Sequence, residues 1–477
     1  MIQKDKLYIG GQWVASLGQE APGAVISPAT GDAIASVVRG NAADVDRAVA
    51  AARGAFDAWA ALTPAERGAY LLKIHEGLKA RAGEIAKTIS SEMGMPLKQS
   101  LPIQAGSPIA VFKYYAKLVE SFHWEEQAGH STIVREPVGV VAAITPWNYP
   151  LHQIGAKVAA ALAAGCTVVL KPADVTPLNA FILAEVIHEA GVPAGVFNLV
   201  TGRGTIVGEA MVKHPEVDMV SFTGSTGAGR RISAQASETI KRVALELGGK
   251  SASVILEDAD LVTAVKGSVQ ACFLNAGQTC TAHTRMVVPE SRYAEVAKIA
   301  VAVTAAYKVG DPFDETTVMG PVASKSQQDT VQEYIQIGLD EGAELLTGGL
   351  GAPEGLENKG FYVKPTVFGR VKPDSRLAQE EVFGPVLSIL TYQDEAEAIA
   401  IANNSIYGLS GGVWASTDER AKEVAKKIRT GMVDINGGGF NMQAPFGGYK
   451  QSGNGREFGK WGLEDFLEVK SLQFKRA

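Results

Sequence analysis

Val138-Gly139-Val140-Val141-Ala142-Ala143-Ile144-Thr145 opens the stretch that decides the fold of this chain. It is a short apolar run closed by a Pro-containing turn, which reads as a strand buried on both faces. Further strand-like runs follow at Thr167–Leu170, Val196–Val200, Asp218–Thr223 and Arg242–Leu245. Between them lie helix-like segments at about 152–164, 177–190, 204–213 and 227–237. Strands alternating with helices at this spacing predict βαβ units and a parallel, doubly wound α/β sheet. Such sheets hold ligands beyond the carboxyl ends of their strands, so those ends carry the functional information.

The first strand runs into Thr145-Pro146-Trp147-Asn148-Tyr149-Pro150, which has no glycine-rich turn. The second ends in Lys171-Pro172-Ala173-Asp174, placing an acid where dinucleotide folds hold ribose hydroxyls. The fourth ends in Phe222-Thr223-Gly224-Ser225-Thr226-Gly227-Ala228-Gly229. Its glycines bare the backbone at a helix start, an anion site suited to pyrophosphate. The fifth ends in Glu246-Leu247-Gly248-Gly249-Lys250. Each segment alone also reads as an ordinary turn, and the strict Gly-x-Gly-x-x-Gly fingerprint is missing. Their shared position at one sheet edge favours a binding cleft.

Downstream, Asn275-Ala276-Gly277-Gln278-Thr279-Cys280 follows a helix-like segment, 258–274, with Leu261, Val265, Val269 and Phe273 on one face. Arg285-Met286-Val287-Val288 then reads as a strand. A thiol between helix and strand, beside a glycine that admits close backbone, suits a nucleophile. A free cysteine is also often a buried, inert residue. His283 offers a Cys/His dyad and a hydrolase reading, but that pairing needs a helical turn where the sequence reads as strand.

The length of 477 residues predicts two or three domains, and 46% apolar with 20% charged residues fits a globular chain with a large core. A net charge of −6 without basic runs argues against nucleic acid. The start lacks a signal-peptide block and no long uncharged apolar run follows, so cytoplasm is expected and a membrane is not. Three cysteines, Cys166, Cys272 and Cys280, show no paired spacing, which argues against disulfides and metal. Near the start, Leu7-Tyr8-Ile9 and Ile34–Val38 read as strands. Asn41 is a candidate cap for a helix carrying Val45, Val49, Ala52 and Phe56, and Thr63-Pro64-Ala65-Glu66 is a capping-box start.

Together these segments resemble the NAD(P)-dependent aldehyde dehydrogenase superfamily over nearly the whole chain, and within it the non-acylating bacterial members. The resemblance implies Asn148 as oxyanion donor, Glu246 as general base and Cys280 as nucleophile. Glu457, in Ser452-Gly453-Asn454-Gly455-Arg456-Glu457, and Lys157 resemble a proton path to the base. Lys171 and Asp174 match the pair at the adenosine ribose, with Asp174 shorter than the glutamate many members carry. Gly224 and Ser225 match the pyrophosphate turn, and Gly204 and Gly208 the preceding cofactor helix. Glu381 and Phe383 match the clamp on the nicotinamide ribose; Ile144, Trp147, Thr223 and Leu247 complete the implied cofactor cleft. Tyr149, Gln153, Leu274, Thr279, Thr281, Phe440 and Asn441 match the substrate funnel.

The implied fold is a Rossmann-type cofactor domain (1–118 and 138–248), an α/β catalytic domain (249–451) and a small β oligomerisation domain (119–137 and 452–477). The strand 131–135 has no nearby partner in sequence, so an edge covered by a second copy, in a homodimer or homotetramer, is expected. The implied reaction is oxidation of an aldehyde to its acid through a thiohemiacetal and a thioester, with Glu246 taken as ionised at neutral pH and the thiol as partly thiolate. NAD is expected over NADP, since Asp174 repels a 2′-phosphate while Lys171, read as solvent-accessible, can turn away. The substrate expected is a longer or bulky aldehyde or an ω-oxo acid. The alternatives are a CoA-acylating semialdehyde dehydrogenase, against which Glu246 argues, and a non-catalytic homologue, against which Cys280, Asn148 and Glu246 argue together.

Overall fold

A computed structural model describes residues 1–475. The alternating region forms its largest sheet from β1 (Leu7–Ile9), β2 (Gln12–Val14), β3 (Val140–Ile144), β4 (Thr167–Lys171), β5 (Phe197–Leu199), β6 (Met219–Thr223) and β7 (Arg242–Glu246). The spatial order is β7-β6-β3-β4-β5-β1-β2. Pairing is parallel from β7 to β5, and β1 joins antiparallel to β5. The period of two in β3 divides its side chains between two cores. Val141 and Ala143 face one, with helices Pro64–Ala80, Ser107–Ser121 and Pro150–Ala164. Val140, Ala142 and Ile144 face the other, with helices Ala42–Ala60 and Thr226–Ala236. A sheet sandwiched this way needs apolar residues on both faces, which is why its strands read as unbroken apolar runs.

Both predicted helix starts form. Asn41 and Asp44 make a reciprocal capping box, as do Thr63 and Glu66 with Pro64 in the first turn. A second sheet runs Glu344–Thr347, Thr366–Gly369, Val386–Tyr392, Arg285–Pro289, Ala252–Ile255, Gly411–Trp414 and Asp434–Ile435 in spatial order. Helix Leu261–Phe273 packs on one of its faces, so Cys280 lies between that helix and strand Arg285–Pro289.

The small sheet differs from expectation. Ser131–Pro137 is its central strand, paired on one side with Glu125–Ala128 and on the other with Leu467–Gln473. It is therefore covered within its own chain. The sheet's two edges are Glu125–Ala128 and Leu467–Gln473, and the second exposes Val469 and Leu472. Gly453–Asn454, grouped with the tail from sequence, instead pairs antiparallel with β7 and closes the large sheet. Among the described residues no helix is long and apolar enough to cross a membrane.

Candidate active site

Strand register assembles the site. Ile144 pairs with Lys171 on one side and Phe222 on the other, and Thr223 pairs with Glu246. Four adjacent strands thus end level and deliver Lys171, Thr223, Glu246 and the turn after Ile144 to one edge. A cavity of about 230 Å³ there is lined by Trp147, Asn148, Gln153, Thr223, Gly224, Ser225, Leu247, Cys280, Glu381 and Phe383, all singled out from sequence.

Cys280 reaches this cavity through a strained turn. Asn275, Ala276 and Gly277 take left-handed φ values of 56°, 54° and 74°. A side chain at Gly277 would place its Cβ 2.1 Å from the carbonyl oxygen of Gly384. Left-handed non-glycine residues cost about 1–3 kcal/mol each, so the surroundings must over-determine them. A buried amide network does so. Asn148 Nδ2 donates to Gln278 O at 2.9 Å, and Asn275 Nδ2 and Gln104 Nε2 both donate to Asn148 O at 3.0 Å. Gln278 Nε2 donates to Asn275 O, while its Oε1 accepts from Ala323 N. The other N–H of the Asn148 amide is left for the cavity.

The electrostatics oppose charge on the sulfur. Burial, then the carboxyls of Glu381, Glu246 and Glu457, push the Cys280 thiol well above its ordinary range. Glu246 is 4% exposed and neither carboxyl oxygen has a hydrogen-bond partner. Burial first, and Glu457 second, raise it well above a normal carboxyl; Lys157 and Arg456 work the other way. Both shifts favour the protonated forms, in the direction opposite to the ionised base and partly ionised thiol expected from sequence. Lys157 and Glu457 form a buried ion pair beside them. Glu381 is held by Gly249 N–H at 2.9 Å, and burial moves it up to about 7.

The rest of the cleft follows the strand ends. Trp147 and Phe383 meet edge to face at 5.3 Å, and Gln327 fixes Phe383 by donating to its carbonyl and that of Val382. Ser225 caps helix Thr226–Ala236 by accepting from Ala228 N–H. A cavity of about 420 Å³ beside that helix is lined by Ile144, Gly204, Gly208, Phe222, Gly227 and Arg231. Gly204 and Gly227 face open space, where a side chain would intrude. Lys171 is buried, not solvent-accessible as expected. Its Nζ donates to Pro172 O and lies 3.8 Å from the more exposed Asp174.

Of the funnel residues, Tyr149 is buried and its hydroxyl bonds Thr279 Oγ1 at 2.7 Å. Phe440 is half exposed and meets Phe446, Phe458 and His152 at ring distances of 6.2, 5.2 and 5.8 Å. Leu274, Thr281 and Asn441 stay outside the Cys280 cavity, and Asn441 Oδ1 accepts from Gln443 N–H. His283 does not join Cys280. It lies in a separate cavity, 3.6 Å from Asp434, and burial drops it to about 4. The dyad falls because strand Arg285–Pro289 starts too soon after the cysteine. Sequence reading missed Gln104, Gln327 and His152. Only His152 had a signal, its place on the helix that carries Gln153 and Lys157.

Comparison with known proteins agrees with this geometry. The sequence model of the Aldehyde dehydrogenase family matches residues 13–472. A 3-succinoylsemialdehyde-pyridine dehydrogenase from a Pseudomonas species is 51% identical, covering 98% of each chain. A cysteine-to-alanine mutant of aldehyde dehydrogenase C from Pseudomonas syringae, solved with NAD+ and octanal, is 47% identical with a TM-score of 0.97, covering 98% of this chain and 96% of its own. Betaine aldehyde dehydrogenase from Staphylococcus aureus, solved with NAD+, is 38% identical with a TM-score of 0.96, covering 98% and 97%. This chain belongs to the aldehyde dehydrogenase family.

Proposed function

We propose that this enzyme oxidises a longer or bulky aldehyde to the free acid with NAD as hydride acceptor. The observation that carries this reading is the convergence of Cys280, Asn148 and Glu381 on one cavity, with the buried, unpartnered Glu246 behind it. The cleft suits the cofactor: the glycine-lined cavity would take the adenine, the Gly224–Ser225 turn the pyrophosphate, and Asp174 the ribose hydroxyls. Glu381 and Phe383 would hold the opposite end beside Cys280. When bound, oxidised NAD brings a positive ring to the cavity and takes up the hydride.

The thiol of Cys280 first gives its proton to water in the cavity, a loss the neighbouring carboxyls disfavour until positive charge enters. Sulfur then attacks the aldehyde carbon. The Asn148 amide and the Cys280 backbone N–H receive the oxyanion, each donor worth about 3 kcal/mol of barrier. After hydride departure a thioester remains on Cys280. Glu246, once ionised, takes a proton from the attacking water and passes it toward Glu457 and Lys157. A glutamate in this place favours hydrolysis over transfer to coenzyme A.

The ring cluster of His152, Phe440, Phe446 and Phe458 supports an extended apolar or aromatic chain beyond the aldehyde. The octanal carried by one structural neighbour and the pyridine in the name of one relative are both consistent with that class. The exposed edge Leu467–Gln473 supports assembly of two or four copies. A panel of short, long and ring-bearing aldehydes, followed by NADH formation and acid analysis, tests the reading. Higher kcat/KM for the long and ring-bearing members is expected. A preference for acetaldehyde, or acyl-CoA as product, would overturn it.

A further inference from the structure

The ribose end of the cleft holds two arginines that the reaction does not use. Arg39 shares a small crevice with Asp174, Pro172, Thr201 and Gly202. Arg203 immediately precedes Gly204 of the adenine cavity. Both guanidinium groups rest on a single oxygen of Glu20: Arg39 Nη1 donates to Glu20 Oε1 at 3.0 Å, and Arg203 Nε lies 2.7 Å from the same atom. Glu20 belongs to the loop between β2 and strand Gly23–Ile26, far from the cleft in sequence. All three side chains keep solvent contact, at 28% exposure for Glu20, 23% for Arg39 and 55% for Arg203, so they are free to reorient.

The chemistry at this corner is that of a phosphate site held closed. Paired guanidinium groups bind phosphate through forked, charge-assisted hydrogen bonds. Lys171 is less free to turn toward a phosphate, because it is buried, donates to Pro172 O and already lies 3.8 Å from Asp174. The charges are within reach of one another: burial raises the Asp174 carboxyl, Lys171, Arg39 and Arg203 ease it, and Glu20 works against them. A 2′-phosphate arriving beside Asp174 would meet two acids and two arginines already engaged.

We propose that Glu20 is a second cofactor-selectivity residue, which keeps Arg39 and Arg203 from a 2′-phosphate and so holds the enzyme to NAD. This rests on the reading of Asp174 as the adenosine-ribose acid. It makes cofactor choice a property of the N-terminal loop as well as of the strand end. Asp174 repels the phosphate directly, and Glu20 withholds the groups that would attract it.

The test is equilibrium binding of NADP+ and NAD+ by calorimetry on the full chain, without aldehyde. Glu20→Gln should lower the ratio Kd(NADP+)/Kd(NAD+) by about fivefold or more, and the gain should shrink as ionic strength rises. Glu20→Ala should give the same sign. Adding Arg39→Gln and Arg203→Gln to Glu20→Gln should return the ratio to the wild-type value. An unchanged ratio in Glu20→Gln overturns the proposal, and so does a gain that survives loss of both arginines. Asp174→Ser separates the two levels. If it moves the ratio while Glu20→Gln does not, Glu20 is not a selector and the ribose site stands. If neither moves it, the placement of the ribose is wrong as well.

Discussion

Glu457→Gln isolates the electrostatics of Glu246, the proposed base. In the wild type Glu457 is the second cause, after burial, of the raised Glu246 carboxyl, and Lys157 opposes it. The substitution removes the like charge and frees the Lys157 ammonium, whose side chain is 1% exposed, to act on Glu246. Both changes ease ionisation of Glu246, so the rising limb of thioester hydrolysis against pH should move to lower pH. The plateau should fall by about 10²-fold or more, because the group proposed to relay the proton is gone. Breaking a buried ion pair costs about 3–5 kcal/mol, and the cost here should sit at the low end because Glu246 becomes a new partner for Lys157. Its sign with pH follows. A carboxyl raised in the folded state favours folding below its unfolded pKa and penalises it as pH rises toward the folded value. Easing Glu246 shrinks that penalty, so the variant should recover stability relative to wild type as pH rises. Rapid-quench measurement of acid release in a single turnover, across pH, reads the limb and the plateau. Urea melts read the stability. A limb that stays in place or moves to higher pH would refute the coupling.

Asp174→Ser should raise kcat/KM for NADP relative to NAD by about tenfold, a change worth roughly 1.4 kcal/mol; a wild type that already favours NADP would remove Asp174 as selector. Deleting 468–477 leaves the buried Phe466 and Leu467 in place but strips the exposed edge strand. Light scattering should then show a smaller assembly, and an unchanged mass in a folded protein would refute the proposed interface.

What was legible in the sequence depended on whether the information was local. The strands from Val140 to Glu246 and the caps at Asn41 and Thr63 announce themselves through runs and spacings a few residues long. The residues that meet at the Cys280 cavity were readable because each lies at a strand end or in a recognisable block. Contacts across the chain were not. Nothing near Ser131 reveals that Leu467–Gln473 lies beside it, and the two-residue strand Gly453–Asn454 is too short for any periodicity. Gln104 reaches Asn148 from a helical segment without motif character, and Glu20 reaches Arg203 across the N-terminal sheets. Protonation was the least legible feature. Lys171, Glu246 and Cys280 read from sequence as an accessible cation, an ionised base and an ordinary thiol; the fold buries Lys171 and Glu246 and sets the half-buried Cys280 near three carboxyls.

In the proposed mechanism Cys280 is acylated and Glu246 drives hydrolysis of the acyl enzyme. Glu246→Gln separates those steps, since glutamine keeps the volume and cannot accept the proton. Stopped-flow with a long-chain aldehyde and NAD should give an NADH burst equal to the enzyme present, then slow turnover, with intact-mass spectrometry finding the acyl group on Cys280. Steady-state turnover equal to wild type, without a burst or an adduct, would contradict the account.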